Sequence, residues 1–298
     1  MEKTVLLDKP YTLSARLSDY AQLTKMRLAT LVVFSAAMAY MTVPGPVRWV
    51  GLVWLIIGGF LVTGAANGFN QILERDLDKK MDRTRMRPLP DQRISVSEAL
   101  MVCGIAGTIG IFILAWFMNP MSGLLGALAI ILYALVYTPM KRLSPFAVFI
   151  GAFPGAIPPL LGWVAASGTI NLYGWILFGI QFIWQFPHFW AIAWVLDDDY
   201  KKAGFNLLPS GERDKASAWQ TLLYTISLIP IGIMPYATGL SGWISMTVIM
   251  AVSIYFALQS WKLYRDCTVE SARKLMFGSF IYLPVVQIAL VLDKTGIV

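Results

Sequence analysis

Nine mostly apolar runs, at about 27–43, 49–70, 97–118, 122–140, 145–165, 172–195, 217–238, 242–260 and 275–292, constrain this chain more than any other feature. A hydrocarbon core about 30 Å thick takes roughly 20 apolar residues per helix. Within it every backbone polar group must be bonded internally, which leaves helices for runs of this length. The expectation is an all-α polytopic membrane protein of about nine transmembrane helices. The chain divides into an N-terminal segment 1–26, one helical membrane domain over 27–292 and a tail at 293–298. Charged residues make up only 14%, against about 25% in soluble domains.

Lys and Arg accumulate in short cytoplasmic segments of membrane proteins. With the N-terminus placed inside, 22 of the 24 basic residues fall on that side, and only Arg48 and Lys294 fall outside. One missed span would scramble that split, so it supports both the count and a topology with the C-terminus outside. The net charge of +7 reflects this bias, and no basic, aromatic-studded stretch points to nucleic acid. Met1 to Lys25 carries Glu2, Lys3, Asp8, Lys9, Arg16 and Asp19 with no apolar core, so it reads as a cytoplasmic leader with room for an interfacial helix. Cys103 and Cys267 have no metal-binding spacing and read as unpaired thiols. Of 17 carboxylates, only Asp293 falls outside. The positive-inside bias does not require that, so the acids ask for another cause.

The second run leads into Asn70, Glu74, Asp78 and Asp82, spaced by four. Each such step advances about 40° around a helix axis, so the first three share a face. An amide oxygen and two carboxylates that leave positions open suit Mg²⁺ carrying phosphate oxygens. Arg83, Arg85 and Arg87 follow, and guanidinium groups bind phosphate oxygens in pairs. The bland reading is a solvated helix end with charge pairs and topological arginines. The sixth run ends in Asp197, Asp198 and Asp199. Read as a helix C-terminus, that cluster opposes the macrodipole and needs a cation nearby; a second metal-ligating arm would provide for one. Tyr133 to Arg142 closes the fourth run, and Lys141 and Arg142 are either topological anchors or further diphosphate contacts.

Prolines 154, 158, 159, 187, 230, 235 and 284 lie within runs, and either kink packed helices or open a cavity. His188, the sole histidine, is flanked by Trp184, Phe186, Phe189 and Trp190. Such a residue can be structural, yet intramembrane ionisable groups are functional candidates by default.

With these residues in hand, the chain resembles the UbiA superfamily of intramembrane prenyltransferases from about Ala21 to Leu292. The superfamily's Asn-x-x-x-Asp-x-x-x-Asp motif reads here as Asn70, Glu74, Asp78. Glu74-Arg75-Asp76-Leu77-Asp78, Tyr137-Thr138-Pro139, Gly155-Ala156-Ile157-Pro158-Pro159 and Trp184-Gln185-Phe186-Pro187-His188 are similar to its haem-farnesylating branch. The second superfamily motif, Asp-x-x-x-Asp, is not met, because Lys202 and Ala203 follow Asp198 and Asp199 by four. The resemblance implies transfer of a farnesyl group from farnesyl diphosphate to a vinyl group of haem B, giving haem O in the cell inner membrane. It implies Mg²⁺ at Asn70, Glu74, Asp78, Asp198 and Asp199, and diphosphate contacts at Arg83, Arg85, Arg87, Lys141 and Arg142. His188 becomes a candidate haem ligand or proton acceptor. A haem A synthase or terminal oxidase would be the assembly partner. The alternatives are a sister enzyme acting on an aromatic quinone precursor and, from another class, a transporter. Transporters place broken helices and ionisable residues near the midplane, whereas these carboxylates sit at one rim.

Overall fold

The computed structural model describes residues 12–296; Glu2, Lys3, Asp8 and Lys9 of the leader lie outside the described residues, as do Ile297 and Val298. The elements are α1 (Leu13–Leu23), α2 (Met26–Thr42), α3 (Trp49–Asp78), α4 (Val96–Ile113) and α5 (Pro120–Ile131). They continue with α6 (Thr138–Met140), α7 (Ala147–Ser167), α8 (Leu172–Val195), α9 (Asp197–Lys202), α10 (Lys215–Ala237), α11 (Trp243–Asp266) and α12 (Val269–Leu292). Wider π-helical turns at Leu114–Met118 and Leu132–Tyr137 extend α4 and join α5 to α6. Among the described residues, eight helical segments are individually long and apolar enough to cross a membrane. The ninth expected span is α2, whose 17 residues reach about 25 Å. It follows α1 at a 52° bend. The hinge is Lys25, in the left-handed region at φ 49°. Leu13 and Leu17 of α1 are exposed while Asp19 and Leu23 are buried, with Asp19 paired to Arg93 at 2.5 Å.

Two apolar cores organise the bundle. One joins α2, α3, α5 and α7; the other joins α8, α10, α11 and α12 with residues of α2 and α7. Helices α2 and α7 touch both groups. A smaller third cluster packs Leu23 of α1 against Leu89, Ile94 and Cys103. Where α2 crosses α7, a Cβ on Gly162 would fall 1.9 Å from the Ala36 carbonyl oxygen. Only glycine permits backbones that close, a device typical of helix pairs in lipid.

The prolines do not break their helices: α7, α8, α10 and α12 run through them. Pro159 has no N–H for the carbonyl four residues back, at Gly155. Gln181 Nε2 donates to that oxygen at 2.7 Å instead. Gln287 Nε2 on α12 donates to Gln181 Oε1 at 3.1 Å and to Ser35 Oγ on α2 at 2.9 Å. A buried polar seam therefore ties α2, α7, α8 and α12 together between the two cores, and the freed carbonyl is satisfied as lipid demands.

The two ends of the bundle differ in charge. One gathers the ion pairs of the α1–α2, α3–α4, α6–α7 and α8–α10 segments. The other holds Arg48 and Lys294, and both serve helix C-termini. Arg48 donates to Ala166 O at 2.8 Å, near the end of α7. Lys294 Nζ donates to the carbonyls of Met41, Val43 and Gly45 at 2.8–3.2 Å, at the end of α2. Cations favour such sites. The two exceptions to the charge bias are thus helix caps.

Candidate active site at the charged end of the bundle

Helix α3 runs eight residues past the expected end of its apolar run, to Asp78, so Asn70, Glu74 and Asp78 lie on one continuous helix. All three are buried. An isolated buried carboxylate is costly in proportion to its lack of partners, and the partners here come from distant segments. Asn70 Nδ2 donates to Thr138 Oγ1 at 3.1 Å, while the Thr138 hydroxyl donates to Tyr133 O at 2.8 Å. That arrangement leaves the Asn70 amide oxygen facing Lys25, whose Nζ lies 2.9 Å away. Glu74 forms an ion pair with Lys141 at 2.6 Å. Asp78 Oδ2 accepts from Arg87 at 2.8 Å, and Thr84 Oγ1 donates to the Asp78 carbonyl at 2.8 Å. Asp78 Oδ1 is buried without a hydrogen-bond partner.

Three cations from three segments therefore converge on one helical face. Burial, then the charges of Arg87 and Lys141, pull the Lys25 ammonium down to about 7. Burial works the same way on Lys141, but the Glu74 carboxylate outweighs it and the pKa rises. Lys141 also lies 4.8 Å from the Tyr137 ring centroid and 5.8 Å from that of Phe205. Beside these groups a cleft of about 450 Å³ opens between α3 and α6, lined by Leu73, Glu74, Asp76, Leu77, Lys80, Thr138, Pro139 and Arg142. Lys141→Met is expected to lower stability by roughly 3 kcal/mol, because Glu74 would remain buried with its nearest counter-charge gone. Thermal unfolding in detergent checks this.

The aspartate triplet is placed differently from its sequence reading. Helix α8 ends at Val195, and Asp197, Asp198 and Asp199 open the first turn of α9. Leu196 is both the C-cap of α8 and the N-cap of α9. The triplet thus follows one helix C-terminus directly while its backbone N–H groups open the next, whose dipole favours acids. Successive residues point about 100° apart, and the three side chains part company. Asp197 is buried against Lys201 at 2.8 Å. Asp198 is exposed and pairs with Arg213 at 3.0 Å. Asp199 alone reaches across to the α3 side, accepting from the backbone N–H of Asp82 at 2.9 Å and of Arg83 at 3.4 Å. Arg83 lies 5.8 Å from the Tyr200 ring centroid, Arg85 pairs with Asp82 at 3.7 Å in solvent, and Arg142 lines the cleft.

Among the described residues, no three of His, Cys, Asp and Glu are grouped closely enough to hold a metal alone. The donor set nonetheless fits Mg²⁺, which keeps waters and takes one or two carboxylates together with substrate phosphate. Asp78 Oδ1, buried and unpartnered, is an oxygen of the required kind. His188 is not part of this cluster; it faces α12.

Sequence reasoning missed Lys25 and Thr138 as site residues. Lys25 was counted among the topological cations. Thr138 lies in the Tyr137-Thr138-Pro139 stretch, and its meeting with Asn70 follows from the fold, where the π-turn delivers it to α3.

The sequence model of the UbiA prenyltransferase family matches residues 30–283. The chain is 48% identical over 287 residues to the protoheme IX farnesyltransferase of Cytophaga hutchinsonii, covering 95% of this chain and 99% of that one. Among solved structures, a digeranylgeranylglyceryl phosphate synthase superposes with a TM-score of 0.78 at 19% identity, covering 93% of this chain and 98% of that one. A UbiA homologue from Archaeoglobus fulgidus bound to GPP and Mg²⁺ superposes at 0.66 with 16% identity, covering 91% and 99%.

Proposed function

Because the chain belongs to the UbiA prenyltransferase family, we propose that it transfers the farnesyl group of farnesyl diphosphate to a vinyl group of haem B, giving haem O. The observation that carries the chemistry is the meeting of Lys25, Arg87 and Lys141 with Asn70, Glu74 and Asp78 at the end of α3. The acceptor follows from relatives such as the C. hutchinsonii farnesyltransferase, which also disfavours a quinone-precursor substrate. The protein is an integral multi-pass membrane protein. We place it in the cell inner membrane with the charged end and N-terminus cytoplasmic, as the Lys and Arg bias supports. A haem A synthase or terminal oxidase would take up the product.

The cations of this chain bind the diphosphate oxygens: Lys25, Arg87 and Lys141 directly, with Arg83, Arg85 and Arg142 around the mouth. Asn70, Glu74 and Asp78 would hold Mg²⁺, with Asp199 the member of the triplet best turned toward them. Asp198, exposed on Arg213, would join only after leaving that pair. Bound there, Mg²⁺ supplies charge neutralisation for the leaving diphosphate. The C1–O bond of the farnesyl group breaks and the electron pair leaves with diphosphate. Apolar and aromatic walls, Tyr133 and Tyr137 among them, keep water from the allylic cation. The vinyl π-bond of the haem forms the new C–C bond at C1. Water captures the resulting cation and loses a proton, leaving the hydroxyethylfarnesyl group.

Membranes containing the protein, incubated with farnesyl diphosphate, haem B and Mg²⁺, should form haem O. Chelation should remove at least about 99% of the rate, since metal stabilisation of developing phosphate charge is worth several kcal/mol. Undiminished haem O formation in chelator would overturn the metal assignment. Farnesylation of a hydroxybenzoate in place of haem would overturn the acceptor.

A further inference from the structure

His188 lies in the second helical group, away from the carboxylates. Its ring stacks on Trp184, with centroids 4.5 Å apart and planes 18° apart. Phe189 and Phe280 approach it, each at 5.3 Å. Its Nδ1 lies 2.8 Å from Ser279 Oγ on α12. A serine hydroxyl has one proton to donate, and that of Ser279 goes to the Met276 carbonyl at 2.5 Å. Towards the ring, Ser279 Oγ can then only accept. The proton of a neutral imidazole is therefore on Nδ1, and Nε2 carries the free lone pair. Trp184 Nε1 donates to the Ser279 carbonyl at 3.1 Å, so one serine residue orients both rings. Among the described residues no hydrogen bond is made to His188 Nε2, and the residue is only partly buried.

This is the arrangement of a metal-ligating histidine: one nitrogen donates to a fixed acceptor, which sets the tautomer, and the other faces the metal. An axial imidazole stands edge-on to the macrocycle, so Trp184, 18° from the His188 plane, holds the ring upright. Phe189 and Phe280, tilted 56° and 66° from it, supply apolar surface beside a flat macrocycle. Resting on the function proposed above, we infer that His188 Nε2 is an axial ligand of the iron of the haem acceptor, held by Ser279, and that the acceptor enters between α8 and α12. His188 precedes Val195, the last residue of α8, by seven residues, about 10 Å along the helix. The iron is therefore seated deeper than the diphosphate. A proton-accepting role for His188 would leave iron ligation unaffected.

The test is optical and resonance Raman titration of the purified protein with haem B, alongside haem O formation. Wild type should show a histidine–iron signature. His188→Gly should lose it, bind haem about 10–100-fold more weakly and regain the signature with added imidazole. Ser279→Ala should keep the ligand but shift the iron–nitrogen stretch and weaken binding by about tenfold, the scale of outer-sphere changes. Retained binding of Mn²⁺ with pyrophosphate shows that each variant is folded; if His188→Gly lacks it, His188→Gln takes its place in the same titration. An unchanged haem spectrum in the folded histidine variant overturns the inference, even if its turnover falls. Wild type that makes haem O without a histidine–iron signature overturns the inference alone. Wild type that neither binds nor farnesylates haem overturns the function as well.

Discussion

Asp78→Ala should lower haem O formation by about a thousandfold or more while the protein still inserts in the membrane. Asp78 lies on the buried face of α3, with Oδ2 bound to Arg87 and Oδ1 unpartnered. The substitution removes an oxygen ligand from the proposed metal site. It also frees Arg87, whose side chain is 19% exposed, from its carboxylate. Loss of one preorganised group that stabilises developing charge costs about 10²–10³ in rate, and loss of metal adds to that. Asp78→Asn separates the two effects, since it keeps the shape and one oxygen but loses the charge. It should be slow yet fold as well as wild type. Both variants are compared by initial rates at saturating substrates and by binding of Mn²⁺ with pyrophosphate. Wild-type turnover by Asp78→Ala would remove Asp78 from the site.

Gly162→Ala should destabilise the bundle by about 2–3 kcal/mol or more, the upper end of the usual cost of overpacking. The added methyl would meet the backbone carbonyl of Ala36, with the Ala36 carbonyl carbon 2.8 Å away. A backbone cannot turn aside as a side chain can, so α2 and α7 must separate, and both apolar cores loosen. Gly104→Ala on α4 is the control. Nothing lies within 4 Å of that position, and alanine improves helix propensity by up to about 1 kcal/mol. Unfolding in detergent should therefore move in opposite directions for the two variants. A neutral Gly162→Ala would show that the two helices do not meet as described.

The fold was legible because lipid imposes length and apolarity on each span, and periods of about 20 residues survive without knowledge of partners. The end of α3 was less so. Its charged last turns look like a loop by hydropathy, yet the helix persists because Asn70, Glu74 and Asp78 are each bonded to another segment. The first carboxylate motif was readable, since spacing by four on a helix is a local property. Its cations were not. Lys25 lies 45 residues from Asn70, and nothing local to Lys25 separates it from a topological anchor. The aspartate triplet misled for a simpler reason: a one-residue break at Leu196 changes the end of one helix into the start of another. The buried seam of Ser35, Gln181 and Gln287 was also invisible, because each residue belongs to a different span.

The Lys294 cap has a consequence for biosynthesis. Its ammonium donates to Met41 O, 253 residues earlier. A ribosome adding about 5–20 residues per second takes roughly 10–50 s to cover that interval. Throughout it, the carbonyls of Met41, Val43 and Gly45 lack the donor they have in the finished protein. Exposed to hydrocarbon, each would cost several kcal/mol. The far end of α2 must therefore wait at a hydrated interface, and it is sealed only when the segment after α12 arrives.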